Sequence, residues 1–402
     1  MSAEQRPPAP AGDSRALYVL LTVVFINMAG FGVVIPLLPF YAQSFGAPEW
    51  QVFVLFSAYS LGNFFAEPLW GRLSDRIGRR PVLMMTIAGN GLSYLALAFA
   101  PTIWAALGIR FASGLLAGNI STIQGYVADV TPPERRAARM GLMGAAFSMG
   151  FVTGPTIGGL LAHPEAGTAG FRPPLYFAFA LCVIAFLGVL RFVRETRPLH
   201  SDTPQRGRLE GVRDAFRNPV IWRVISVSLI SVGGFAGMEA SFGLWSEAKF
   251  DWGPREIGLC FMVIGLSAAF AQSVLAGRLA RRFGETVVLM GGLALIGLGF
   301  AVQPFVTVWP IAVIAMITVA LGQSLTFPNI GAIISHASPP DRQGEMLGLN
   351  MAAMALARII GPLAAAPLFA LHIGGPFAAA ALLIIPALYM ASEVRRYVRM
   401  RA

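Results

Sequence analysis

The sequence predicts an all-α membrane protein, with twelve transmembrane helices arranged as two pseudo-symmetric six-helix bundles. Three observations predict it. Hydrophobic residues make up 56% of the 402 and charged residues 12%, leaving more apolar surface than a soluble chain of this size can bury. Twelve apolar stretches are long enough to cross a ~30 Å hydrocarbon core. Short motifs of the first half also return roughly 207 residues later, as expected of a chain built from two related halves. No alternating pattern of ~10 residues recurs, which excludes a β-barrel.

The first stretch, 16–40, follows a polar, Pro-rich leader, 1–15, that reads as a disordered cytoplasmic tail without a cleavage site. It carries Phe25-Ile-Asn27-Met-Ala-Gly30-Phe31-Gly32 and then Pro36-Leu-Leu-Pro39-Phe-Tyr41. The second, 50–71, sets Tyr59, Asn63 and Glu67 at i, i+4 and i+8, a polar stripe that a cavity accepts and lipid rejects. Gly71-x-Leu73-x-Asp75-Arg76-x-Gly78-Arg79-Arg80 then leads into the third, 81–100. Gly71 and Gly78 are expected to let the backbone turn. Asp75 can face a neighbouring helix end, and the arginines can meet acids or anionic lipid headgroups. The fourth, 103–127, holds Arg110 about five turns before Asp129, with Asn119 and Gln124 between them.

The fifth, 137–162, contains Gly150, Gly154, Pro155, Gly158 and Gly159. Glycines four apart line one helix face and permit close helix contact, while Pro155 removes a backbone donor. The sixth is 174–193. A polar stretch with Pro198, Pro204 and Gly207 then reads as a flexible cytoplasmic linker, 194–219. The remaining stretches are 220–245, 255–280, 286–304, 308–334, 344–370 and 375–393, closed by a tail, 394–402. The two bundles are thus 16–193 and 220–393. In the second half, Gly277-Arg-Leu-Ala-Arg-Arg-Phe-Gly284 echoes the first loop, Ser338-Pro-Pro-Asp-Arg342 echoes Thr131-Pro-Pro-Glu-Arg135, and Gly361-Pro362 echoes Gly154-Pro155.

The net charge of +10 invites a nucleic-acid reading, but its placement argues against one. Of the 30 basic residues, Arg172, Lys249 and Arg255 fall in the loops opposite the termini, and Arg110 and Arg358 lie within spans. The others share the side of the termini, which the positive-inside rule makes the cytoplasm. An inner membrane location with both termini cytoplasmic follows, with lipid rather than nucleic acid as partner. Cys182 and Cys260 lie within apolar stretches and read as packing residues.

The ten-residue loop pattern and its echo resemble the loop motif of the major facilitator superfamily. The glycine string of the fifth helix resembles that of the superfamily's twelve-helix drug:proton antiporters. The first helix, Gly237-Met-Glu239-Ala-Ser241-Phe242, and Ala357-Arg358-Ile-Ile-Gly361-Pro362 resemble its tetracycline-efflux-like branch. Asn27 stands where that branch usually has an aspartate. The resemblance spans about residues 16–393. It implies a monomeric secondary transporter that exports an amphipathic, drug-like small molecule, tetracycline-like or multidrug, in exchange for protons by alternating access. It further implies a proton-coupling role for Arg110.

Within that expectation, acids inside the spans are candidate proton carriers, Glu239 and Glu67 foremost, with ion pairing to a loop arginine as the rival role for Glu67. Asp75, Arg76, Arg79 and Arg80, with Asp129 and Glu345, form a candidate cytoplasmic latch. Candidate cavity residues are Asn27, Asn63, Asn119, Gln124, Gln272, Gln323, Asn329 and Asn350, with Phe31, Phe242, Trp245 and Phe327 to stack a substrate. No cofactor or metal is expected. A nutrient or metabolite carrier of the same fold is the alternative. A membrane-embedded enzyme is the remote one, since neither a nucleophile with its base nor a phosphate-binding loop is present.

Overall fold

The computed structural model describes residues 14–195, 208–339 and 342–401. Among them, twelve helical segments are long and apolar enough to cross a membrane, so the chain is a multi-pass membrane protein. Helices are the expected solution, because hydrocarbon offers no partner to a free backbone N–H or C=O. No strand occurs among the described residues.

The first bundle comprises α1 (Ser14–Val34), α2 (Leu38–Gln43), α3 (Glu49–Ile77), α4 (Arg79–Ala98), α5 (Ile103–Leu116), α6 (Ile120–Asp129), α7 (Pro133–Leu161) and α8 (Arg172–Phe192). After α9 (Arg208–Arg217), the second comprises α10 (Ile221–Phe250), α11 (Pro254–Phe270), α12 (Gly277–Phe283), α13 (Glu285–Val302), α14 (Trp309–Ala337), α15 (Gln343–Leu371) and α16 (Gly375–Arg401). The halves repeat one packing scheme. α1 packs on α7 as α10 packs on α15, α3 on α5 as α11 on α14, and α4 on α8 as α13 on α16. The bundles meet along two seams, α3 with α15 and α7 with α11. An even number of spans places both described chain ends, Ser14 and Arg401, at one end of the molecule, called here the termini end.

Several expectations change. The first stretch is not one helix to residue 40. α1 stops at Val34, where Pro36 lacks the donor needed to continue it, and α2 restarts at Leu38. The fourth stretch breaks at Ala117–Asn119 into α5 and α6. A Cβ on Gly118 would meet the backbone of Ala66 and Glu67, so α3 presses on the break where a side chain would not fit. Gly71 makes no turn: it lies inside α3, and Gly78 alone reverses the chain, with φ of 102°. Within the linker, 208–217 is helix, and 196–207, with Pro198, Pro204 and Gly207, lie outside the described residues. The last helix runs on past residue 394, so the tail begins as helix rather than as a separate segment. The leader's residues 1–13 lie outside the described residues, as does Asp341.

The fifth-span glycines show how sequence sets helix spacing. A Cβ on Gly150 would sit 2.5 Å from the Phe25 carbonyl oxygen. Cβ atoms on Gly154 and Gly158 would strike the Ala29 and Val33 carbonyls, all on α1. Gly159 turns the other way and meets Pro254 of α11. One face of α7 therefore fixes it to its own bundle, and the neighbouring residue joins it to the other.

Candidate functional site: the cavity between the bundles

The seams are closed at the end opposite the termini. There Gln43 Nε2 donates to Glu247 Oε2 at 2.7 Å, and the Phe53 and Phe369 rings lie 5.7 Å apart. Ser57 Oγ donates to the Ile359 carbonyl at 3.0 Å, and a Cβ on Gly243 would lie 2.7 Å from Pro39 Cγ. Toward the termini the same helices part. Nothing lies within 4 Å of a Cβ built on Gly141 or Gly144 of α7, or on Gly344 or Gly348 of α15. The space between the bundles thus opens at the termini end and is closed at the other.

At mid-depth the wall is built by Phe31, Phe56 and Ser60 from one bundle and Ala236, Glu239, Arg358 and Pro362 from the other. Glu239 is only 7% exposed, and its Oε1 has no hydrogen-bond partner. It lies close enough to Arg358 to feel its charge, yet no ion pair joins them among the described residues. Small residues place both groups. A Cβ on Gly361 would strike the Gly233 carbonyl, so α10 and α15 approach at backbone distance. A carboxylate left without a partner inside a membrane protein is costly, which makes its retention a pointer to function.

Facing this pair, Arg110 is buried at 3% exposure, with its guanidinium 4.6 Å above the Tyr59 ring, a cation–π contact. Tyr59 in turn packs on Phe31 at 5.2 Å between centroids. Arg358 of α15 and Glu67 of α3 lie within electrostatic range of the same Tyr59 ring. Glu67 is half-buried, two helical turns along the Tyr59–Asn63–Glu67 stripe toward the termini.

The neutral helix-one residue has a definite place. Asn27 Nδ2 donates to Asn119 Oδ1 at 2.8 Å, and Asn119 Nδ2 donates to Thr86 Oγ1 at 3.3 Å. Asn119 is buried at the break between α5 and α6. The amides therefore tie α1, α4 and the broken helix together. An Asp at position 27 would lose the donor on which that bond depends.

At the termini end, Arg79 is the hub. Its guanidinium reaches Asp75 at 2.9 Å, Asp129 at 3.5 Å and Ser74 Oγ at 2.7 Å. The backbone N–H groups of Arg79 and Arg80, which open α4, donate to the Glu195 carboxylate at 2.9 and 3.0 Å, an anion at a helix N-terminus. Arg80 also donates to the Leu190 carbonyl at 2.7 Å, while Arg76 is exposed. Glu345 does not join this group. It accepts from Arg342 at 2.9 Å, and Arg342 also pairs with Asp214 of α9. The expected latch is thus two separate clusters, one per bundle, because the helices bearing them are parted here.

Other expected cavity residues fall elsewhere. Phe242 and Trp245 are fully buried among Trp252, Phe261, Phe250 and Phe377, where they fill the closed end and are unavailable to a substrate. Asn329 is turned back onto its own helix, donating to the Leu325 carbonyl at 2.7 Å. Asn350 is buried beside Met354 Sδ, 3.5 Å away. Phe327 is exposed on α14, and Gln323 has a buried Oε1 without a partner. Gln272 stands 3.5 Å from Ser148 across the α7–α11 seam, and Gln124 is exposed on α6. Sequence reasoning missed Arg358 as a site residue. Its signal was an arginine inside an apolar stretch, the same signal that marked Arg110.

Comparison with known proteins agrees with this architecture. The Major Facilitator Superfamily model matches residues 20–362 and 240–397. The class C tetracycline resistance protein of Escherichia coli is 30% identical over 371 residues, covering 89% of this chain and 90% of the relative. The quinolone resistance protein NorA of Staphylococcus aureus (strain COL) is 27% identical over 373 residues, covering 90% and 92%. Among solved structures, the human organic anion transporter MFSD10 (TETRAN) superposes with a TM-score of 0.71 at 23% identity, covering 96% and 100%. A bacterial homolog of the human lysosomal transporter Spinster, inward-facing and unoccupied, superposes with 0.77 at 14%, covering 96% and 98%. These two share the fold. With the repeated halves, the glycine seam and the inter-bundle cavity, the matches lead to one conclusion: the chain belongs to the major facilitator superfamily, a family of membrane transporters.

Proposed function

We propose that this chain is a secondary exporter of an amphipathic, drug-like compound, driven by exchange for protons across the inner membrane. The observation that carries the reading is Glu239, a carboxyl group sunk in the wall between the two bundles with one oxygen unpartnered. A carboxyl group there can exchange a proton with whichever side the cavity faces, and protonation removes the cost of its buried charge. Glu67, lower on the open side, is the second candidate on the proton route. Arg110, stacked on Tyr59, keeps a fixed positive charge in the first bundle, and Arg358 is the charge beside Glu239. No cofactor is needed, because the proton is the coupling ion.

In this reading the termini lie in the cytoplasm, the open end faces inward, and the site within a single chain makes the working unit a monomer. The basic residues of the termini end face anionic headgroups. Asp75, Arg79 and Asp129 reach Glu345 and its neighbours when that end closes. The drug-efflux relatives name the first compounds to try, a tetracycline and a quinolone. The test is transport by the purified protein in proteoliposomes under an imposed pH gradient. Wild type should move one of these unchanged, and Glu239→Gln should abolish the dependence on the gradient. Undiminished gradient-driven transport by both Glu239→Gln and Glu67→Gln would overturn the proton assignment. Chemical alteration of the compound would overturn transport itself.

A further inference from the structure

Resting on the export reading, we propose that the mid-depth wall recognises a zwitterionic amphiphile, with Arg358 taking its anionic group, Glu239 its cationic group, and Phe31 and Phe56 its aromatic body. Arg358 is exposed to the cavity and has no carboxylate at ion-pair distance among the described residues. Glu239 lines the same pocket with an oxygen that nothing satisfies. Two opposite charges held on one wall and left unpaired are complementary to a ligand that carries both. The planar guanidinium suits a carboxylate or a similar two-oxygen anion. Ser60 beside them supplies a further hydroxyl.

The charges around this depth favour an acid group on the ligand. Arg110 adds a second cation that is buried under Tyr59 and out of direct reach. The first bundle's acid, Glu67, lies two turns nearer the termini, and the Asn27 amide is already engaged by Asn119. A purely cationic amphiphile would therefore leave Arg358 unanswered beside Glu239. A zwitterion answers both signs, and its cationic group contends with a proton for Glu239. That competition is what exchange requires: the proton and the ligand's cation cannot hold the same carboxylate together. Arg358 is then the residue that determines specificity, and Glu239 couples that specificity to the proton.

A matched set of four probes tests this: 2-naphthylalanine, its methyl ester, its N-acetyl derivative and the N-acetyl methyl ester. They share one aromatic body and are zwitterion, cation, anion and neutral. Calorimetric binding to the detergent-purified protein should rank the zwitterion first. Losing either charged partner should cost about tenfold or more in Kd. In Arg358→Gln the penalty for esterification should vanish while that for acetylation remains, and Glu239→Gln should show the reverse. Arg358→Lys, which keeps the charge without the fork, should restore part of the acid preference and shows that the site is folded. An ester that binds wild type as well as the zwitterion, an ester penalty that survives in Arg358→Gln, or no binding by all four probes at millimolar concentration overturns the proposal. Proteoliposome transport separates it from the export reading. Gradient-driven drug movement without the charge preference sinks the ligand assignment alone. The charge preference without gradient-driven movement sinks export alone.

Discussion

Arg79 holds three partners, Asp75, Asp129 and Ser74, from a nearly buried position at the junction of α3, α4 and α6. Arg79→Ala would remove a cation that two carboxylates share, a change worth about 1–3 kcal/mol given that both acids are partly exposed. The expected result is a lower unfolding temperature in detergent, with Arg79→Lys recovering part of the loss; an unchanged temperature for Arg79→Ala would deny it a structural role. The run of arginines in the sequence marked this region, but not which arginine is central. Periodicity places a side chain on a face and says nothing of which of several like charges turns inward. Asn27 shows the same limit. Its chemistry as a neutral residue was legible, whereas its bond to Asn119 depends on a break in the fourth span that apolar composition conceals.

At the scale of elements, α7 supplies its own control. Gly154→Ala would drive a Cβ into the Ala29 carbonyl, whereas Gly144→Ala meets nothing within 4 Å. The first should lower stability by about 1–3 kcal/mol, the usual cost of overpacking. The second should be neutral or raise stability by up to about 1 kcal/mol through helix propensity. Paired unfolding curves check this, and equal effects would mean that the glycine face does not set the α1–α7 distance. α9 is held differently, by charge. The hydrogen bond from Arg342 to Asp214 keeps that carboxyl below its ordinary range, and Asn218 donates to the Ala337 carbonyl at 3.1 Å. A carboxylate with a depressed pKa contributes its stabilisation above its ordinary pKa and loses it as pH falls through the lowered value. Amide protection in α9, measured relative to intrinsic exchange at each pH, should therefore be high near neutrality and fall in acid or high salt, and Asp214→Asn should lower it at neutral pH. Protection that ignores both pH and Asp214 would remove the ion pair as the anchor. The polar composition of the linker hid this helix, because its docking partners lie more than a hundred residues away.

At the scale of the whole molecule, the seams are legible in the sequence only as small residues, and which end they close is not. Gly150, Gly154, Gly158 and Gly159 announced close helix contact, yet under the proposed alternating access one sequence must pack in two states. The state seen here is set by contacts that no pattern in either half encodes, such as Gln43 with Glu247 and Phe53 with Phe369. Two halves that repeat one packing scheme and meet along two seams can exchange access only if the closed end parts while the open end meets. The bond between Gln43 and Glu247 spans the closed end, so tying these positions should hold the protein as it is here. Gln43→Cys with Glu247→Cys, joined by a short cleavable bis-thiol reagent, should bind the probes from the termini side with near wild-type affinity. The same protein in proteoliposomes should transport at background rate until the tie is cut. Cys182 and Cys260 are both buried, which keeps competing modification low. Wild-type turnover by the tied protein would mean that the bundles do not separate at that end, and the cavity would then need another exit.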